Sequence, residues 1–277
     1  MTTWKSFQTR ALSAIAALAI IIGCYYFFQI RGLQAVIFAA VVIGSWELRE
    51  ILFNQENSKS LRNLIFFLNL TVFAFSTLAL NLSGVTFSVA LIILITASLL
   101  VLHKTGDLQR MARLQANGAI SLFYMGLLPA FAYRLLDQEL GPAWFIYLLA
   151  VVFAGDTFAY IFGVLFGRHK VMPSVSPKKT WQGSMGGLVG SLAASAVCGF
   201  YLFPEISMSF LLPLAVCAGF AGQFGDFFES LLKRVADVKD SGKIMPGHGG
   251  VLDRIDGVLF AAPVVLVGVL ILSHLSS

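Results

Sequence analysis

Charge is what this sequence has least of. Asp, Glu, Lys and Arg make up 12% of its 277 residues, about half the share found in an ordinary soluble domain, which excludes a water-facing shell around a single core. Cysteine is scarce as well. Cys24, Cys198 and Cys217 all lie inside apolar runs, so neither a disulfide framework nor a thiolate metal site is expected. Histidine numbers four, and no Cys or second His stands near His248, which argues against zinc there. No stretch outside the apolar runs interleaves basic and aromatic residues, so the net charge of +5 does not point to a nucleic-acid polymer as partner.

What the sequence has is apolar length. Hydrophobic residues reach 58%, gathered in runs of roughly 17 to 25 residues, the length that crosses a bilayer as a helix. Candidate spans are Ala11–Phe28, Leu33–Phe53, Leu64–Leu80, Val85–Leu102, Asn117–Leu136, Ala143–Phe166, Gly186–Phe203, Phe210–Phe228 and Val251–Leu272. The expected fold is therefore an all-α, polytopic transmembrane helical bundle of about nine spans, with a polar cavity on the cytoplasmic side. The first run lacks a clear small-residue cleavage site and reads as a retained span rather than a secretory signal. A cytoplasmic amino terminus leaves only Arg31 and Arg134 of the nineteen basic residues on the far side, as the positive-inside rule asks. Basic charge on the inner face also attracts anionic membrane lipids.

Polar residues concentrate in two inner connections and at the ends of their flanking spans. Asp156, in AGDTFAY, lies well inside the sixth span, roughly 16 Å from its Arg168 end on an ideal helix, where a carboxylate needs a polar cavity or a partner. Its plainer reading is helix assembly alone. Asp226 closes the eighth span in FGDFFES, with Glu229 one turn on, and Asp253 and Asp256 open the ninth. If the connection between folds back, Asp226, Asp253 and Asp256 converge, and such a set of hard oxygen donors suits Mg²⁺ with substrate phosphates. The stretch SVSPKKTWQGSMGG offers Lys178 and Lys179 beside hydroxyls and glycines, a phosphate-binding composition. It is not a P-loop, because the G-x-x-x-x-G-K-[ST] order is missing and no strand-to-helix junction is expected there. Lys233, Arg234, Lys239 and Lys243 follow in the next connection with Asp237 and Asp240. Membrane topology alone also accounts for basic residues in such places.

The stretch SLLKRVADVKDSGKIMPGHGGVLDRID resembles the signature of phosphatidate cytidylyltransferases, the CDP-diacylglycerol synthases, through Ser230, Lys233, Arg234, Lys239, Asp240, Pro246, His248, Gly249, Gly250, Asp253, Arg254 and Asp256. GDTFAY and SPKKTWQG are similar to that family's cytoplasmic-side motifs, with Gln182 standing where the family pattern has Glu. The resemblance implies transfer of a cytidylyl group from CTP, or dCTP, to phosphatidic acid, giving CDP-diacylglycerol and pyrophosphate. It implies Mg²⁺ as cofactor with K⁺ as a second cation, a homodimer, and a place in the cytoplasmic (inner) membrane of a bacterium. Residues 1–116 would then form an amino-terminal scaffold or dimer region and residues 117–277 the catalytic part.

On this reading Asp226, Asp253 and Asp256 hold metal and, with Lys233 and Arg234, serve catalysis. Lys178, Lys179, Lys239, Asp240, His248 and Asp156 bind the nucleotide and phosphate groups. Two enzyme alternatives are another CDP-linked lipid enzyme and a CTP-dependent lipid kinase. The spacing of Asp253, Arg254 and Asp256 is too tight for the D-G-x-x-A-R and G-x-x-x-D-x-x-x-D pattern of CDP-alcohol phosphotransferases. The non-enzymatic alternative is a secondary transporter, suggested by Asp156 and the repeated Gly-Asp pairs, although one short repeat does not make a duplicated half.

Overall fold

In a bilayer every backbone amide and carbonyl must be satisfied within the protein, and a helix does this locally. The computed structural model describes residues 3–78, 80–245 and 249–276, so the site role expected for His248 lies outside the described residues. The chain is nearly all helix: α1 (Thr3–Leu52), α2 (Lys59–Leu78), α3 (Ser83–Leu102), α4 (Leu108–Ser121), a π-helical segment (Leu122–Leu127), α5 (Leu128–Leu135), α6 (Gly141–Phe166), α7 (Trp181–Leu202), α8 (Met208–Val235) and α9 (Leu252–Ser276). A two-stranded antiparallel hairpin, β1 (Lys170–Met172) and β2 (Ser176–Thr180), lies between α6 and α7.

Eight helical passages among the described residues are long and apolar enough to cross a membrane, rather than the nine expected. The first two expected spans lie in α1 as two helical stretches that meet at a kink at Gln29 (φ 54°, ψ −137°), where the chain doubles back so far that a Cβ at Gly32 would collide with the Cys24 carbonyl. The connecting Gln-Ile-Arg-Gly contains no proline, so nothing in it prevents the helix from resuming at once. The segment α4 to α5 also starts earlier than expected, at Leu108, capped by Asp107, whose side chain accepts from the Arg110 amide at 2.8 Å. Arg110 and Arg113 thus belong to a helix and not to a loop.

The described chain divides into two compact units, Met1–Tyr133 with Ala236–Arg254 and Arg134–Val235 with Ile255–Ser277. In the first, Leu61, Ile65, Leu68 and Val72 of α2 meet Leu94, Leu114 and Leu122 in a buried apolar core. Polar side chains there bond across helices: Asn69 donates to Ser121 at 2.9 Å, and Gln115 to Ser98 at 2.8 Å. Asn117 donates to the Leu52 carbonyl at 2.9 Å, satisfying a group that the end of α1 leaves without a helical partner. The turn after α1 is held by Glu56, which accepts from Arg110 Nε at 3.0 Å and Nη2 at 2.5 Å and from the Ser58 amide at 2.8 Å.

In the second unit α6 and α7 lie backbone to backbone. A Cβ at Gly190 would come within 2.6 Å of the Ala154 carbonyl oxygen, so a side chain there would force the helices apart. The close approach permits buried polar contacts, with Ser191 donating to the Val151 carbonyl at 2.9 Å and Tyr147 to that of Leu211 at 2.7 Å. Trp144 stacks on Phe203 with ring centroids 4.2 Å apart.

The Glu56 carboxyl is held below the usual range chiefly by its bonds from Arg110, which outweigh the opposing effect of burial. A lowered folded-state pKa contributes stability at pH values above the unfolded value, about 4.3 for Glu, and this is lost as pH falls through the folded value. Arg110→Ala is expected to cost about 1–2 kcal/mol near pH 7, discounted for the partial exposure of the arginine. Thermal unfolding in detergent should show the difference from wild type shrinking below about pH 4. A pH-independent difference would contradict the assignment.

Candidate active site

The second unit gathers most of the residues that sequence reasoning singled out. Lys178 and Lys179 lie on β2, in register with β1 through the pairs Lys170 with Thr180 and Met172 with Ser176. β2 runs directly into α7, a strand-to-helix junction where none was expected. Thr180 caps the helix by accepting from the Gly183 amide at 3.1 Å. The hairpin forms because Gly167 and the residues after it leave α6, and Gln182 fixes the turn: its Oε1 accepts from the amides of Arg168 (3.1 Å) and His169 (3.3 Å). An amide oxygen at Gln182 suffices for that task.

Lys179 points from the hairpin to α8, where its ammonium forms an ion pair with Asp226 and stands 4.4 Å from the Phe227 ring centroid. Both partners of the pair are half-buried, whereas Lys178 is exposed. Ser230 donates to the other Asp226 oxygen at 3.5 Å. Further along α8, buried Glu229 pairs with Lys233 at 2.5 Å, and Arg234 Nε donates to the Val175 carbonyl of the hairpin at 3.4 Å. Two cations of α8, Lys233 and Arg234, and two of β2, Lys178 and Lys179, therefore lie on the elements that frame Asp226.

Asp256, one turn into α9, is buried and accepts from its neighbouring Gly257 amide at 2.8 Å. Gly225 explains how it reaches Asp226: a Cβ there would lie 2.4 Å from the Asp256 carbonyl oxygen, so only glycine lets α8 and α9 touch at that level. Asp226, Asp156 and Lys179 all lie close enough to Asp256 to interact with it electrostatically. Acidic charge outnumbers basic charge around it. The structure thus brings together Asp156, Lys179, Asp226 and Asp256.

Asp253 belongs to the first unit, together with exposed Lys239 and Asp240. Its Oδ2 accepts from the Ser241 amide (2.9 Å), the Ser241 hydroxyl (2.8 Å) and the Gly250 amide (2.8 Å). These bonds hold the turn that leads into α9. The same turn is reached by Glu47 of α1, a residue that no motif in the sequence marks.

Among the described residues no three acidic, imidazole or thiol groups are gathered closely enough to cage a metal by themselves. Mg²⁺ does not need such a cage: it commonly takes one or two carboxylates and completes its shell with waters and substrate phosphates. The carboxylate pair Asp226 and Asp256, in surroundings of surplus negative charge, fits a cation of that kind.

The model of the cytidylyltransferase family matches residues 8–272. Over 144 residues the chain is similar, at 42% identity, to a phosphatidate cytidylyltransferase of Staphylococcus haemolyticus, covering 52% of this chain and 55% of that one. A phosphatidate cytidylyltransferase of Thermotoga maritima is 36% identical over 178 residues, 62% of this chain and 66% of that one. The chain spans about half the length of the staphylococcal relatives that it matches.

The backbone contact at Gly225 has a direct test. Gly225→Ala is expected to lower stability by about 1–3 kcal/mol through overpacking. Gly84→Ala, where an added Cβ meets nothing within 4 Å, should be neutral or stabilise by up to about 1 kcal/mol. Unfolding midpoints of the two variants in the same detergent decide it, and equal effects would count against the close approach of α8 and α9.

Proposed function

The chain belongs to the cytidylyltransferase family, and on that footing we propose that it transfers a cytidylyl group from CTP to phosphatidic acid, forming CDP-diacylglycerol and pyrophosphate. The observation that carries this reading is the gathering of Asp226, Asp256 and Lys179 beside a hairpin that also presents Lys178. The names of the curated relatives support it. Homodimerisation and use of dCTP belong to the same proposal.

The lipid's phosphate oxygen attacks the α-phosphorus of CTP. A new P–O bond forms as the bond from that phosphorus to the bridging α–β oxygen breaks, and pyrophosphate departs. The nucleophile is already an oxyanion, so the protein need supply neither a covalent nucleophile nor a general base. Its work is to bring anions together and to stabilise charge as it shifts to the leaving group. Lys178 and Lys179 on β2, with Lys233 and Arg234 on α8, provide the cations. The Asp226 carboxylate fixes the lysine at position 179, so that its ammonium is oriented before substrate arrives. Asp226 and Asp256 are the residues that would hold Mg²⁺, with K⁺ as a second cation; when bound, Mg²⁺ screens phosphate charge and acts as a Lewis acid. Asp253 enters as the residue that organises the turn ahead of α9, and Mg²⁺ titration of Asp253→Asn tests the metal role that the sequence suggests for it.

A cleft of about 520 Å³ lined by Phe162, Phe166, Trp181, Gln182, Met185, Gly186 and Val189 adjoins one of about 400 Å³ that includes Arg168. An apolar cleft with a guanidinium at its end suits a membrane-held phospholipid, which supports a lipid as the second substrate. The positive-inside rule supports a cytoplasmic face for the basic connections, and the bacterial source of the relatives supports an inner-membrane location. A single crossing by α1 would put the amino terminus on the opposite face from those connections, whereas the reversal at Gln29 supports a shared face.

Purified protein given CTP, phosphatidic acid and Mg²⁺ should form CDP-diacylglycerol and pyrophosphate in equal amounts, and chelation of Mg²⁺ should stop it. Transfer of the γ-phosphate to lipid would establish a kinase instead, and movement of substrate across sealed vesicles without CTP consumption a transporter. Lys179→Ala should lower kcat/KM at least about tenfold, about 1.4 kcal/mol of transition-state stabilisation. Lys59→Ala, removing an exposed charge at the start of α2, should stay within about twofold of wild type on the same scale. Equal losses would remove the distinction between substrate binding and membrane topology.

A further inference from the structure

Glu47 is a carboxylate of α1 with 3% of its surface exposed, and its partners all lie about two hundred residues away in sequence. Oε1 accepts from the Val251 amide at 3.1 Å and Oε2 from the Leu252 amide at 2.9 Å, while the Ser241 hydroxyl, whose one proton is shared with the nearer Asp253, stands 3.4 Å from Oε2. Val251 and Leu252 stand where α9 begins, and the first amides of a helix have no partner within it. A carboxylate there satisfies two of them and complements the positive end of the helix. Ser241 links this group to Asp253, since its hydroxyl also lies 2.8 Å from Asp253 Oδ2.

The chain is wound closely around the carboxylate. A Cβ at Gly242 would lie 2.3 Å from Glu47 Oε1, and one at Gly250 would lie 2.5 Å from both carboxylate oxygens. Gly249 has φ +83° and approaches Asp253 Oδ2 to within 2.5 Å of where a Cβ would stand, a conformation that a side chain resists. Three glycines thus exist at this turn in the form that buried Glu47 and half-buried Asp253 require. Hydrogen bonds to charged acceptors are the strong ones, and removing one acceptor leaves buried amides unsatisfied.

We propose that Glu47 is a positioning residue: it holds the approach to α9, and through Ser241 the side chain of Asp253, in the arrangement that turnover requires. This rests on the cytidylyl-transfer reading for its kinetic consequence, but the hold on the turn is readable without it. Glutamine at position 47 keeps the size and one acceptor oxygen while presenting an amine to an amide that needs an acceptor. The carboxylate therefore does what its isostere does not.

The test uses full-length protein in lipid nanodiscs, as wild type, Glu47→Gln, Ser241→Ala and the double variant. Glu47→Gln is expected to lower kcat about tenfold with KM for CTP and phosphatidic acid within about twofold. Amide hydrogen exchange should quicken over Ser241–Met245 and Gly249–Leu252 and stay unchanged in α2 and α3. Because both side chains act through one turn, the double variant should be no more than about twofold slower than Glu47→Gln. Unchanged kcat and exchange in Glu47→Gln would overturn the proposal, as would rate losses that multiply in the double variant or faster exchange throughout the protein. If Glu47→Gln does not fold, Ser241→Ala decides alone: a lower kcat with local loss of protection supports the proposal, and wild-type behaviour defeats it. Wild-type protein that forms no CDP-lipid would sink the reaction reading, while the exchange measurements would still decide whether Glu47 holds the turn.

Discussion

The ion pair between Lys179 and Asp226 joins the one non-helical element of the second unit to the helix that carries most of its charged residues. Without that pair the β1–β2 hairpin would be attached to α8 by little more than the Arg234 contact to Val175. Asp226 would also face Asp256 with no cation between their surroundings. In water such a pair is worth little. Where water is scarce, a lone charge is costly and a satisfied one is strongly oriented, so Lys179 joins Gln182 and the Thr180 cap in fixing the hairpin and offsets acidic charge at Asp226.

The two units meet the same difficulty in different ways. In the second, carboxylates are balanced by ammonium groups: Lys179 for Asp226 and Lys233 for Glu229. In the first, Arg110 balances Glu56 in the same way, but Glu47 and Asp253 accept from backbone amides and a serine hydroxyl. The difference suits their tasks. Ammonium groups are mobile point charges that a phosphate can recruit, whereas amides at a helix start are rigid and hold a backbone in place.

Glycine is the other shared device, used where backbones have to touch. Gly190 lets α7 lie on α6, and Gly225 lets α8 lie on α9 beside the acidic pair. In a bilayer, helices gain little from hydrophobic burial against one another, so close backbone approach and hydrogen bonding carry the association. The acidic cluster sits at such a seam because only there do side chains from α6, α8 and α9 come within reach of Asp256.

Hydropathy alone identified a helical membrane protein, since a bilayer forces each span to satisfy its own backbone and so to announce itself as a long apolar run. Asp156, Asp226 and Asp256 were legible for the same reason: an acid inside or at the rim of such a run is expensive and stands out. The span count was less secure, because a short polar interruption at Gln29 reads alike whether the helix ends or merely breaks. The hairpin was hidden by its brevity and by a proline at the second position of its lysine-bearing strand. Glu47 was not legible at all, and the donors of Asp253 were not either. A residue's type and neighbours say that it carries charge; which distant amide or hydroxyl receives that charge is decided only when the chain folds, because in the low-dielectric interior every buried carboxylate takes the donors that packing brings to it.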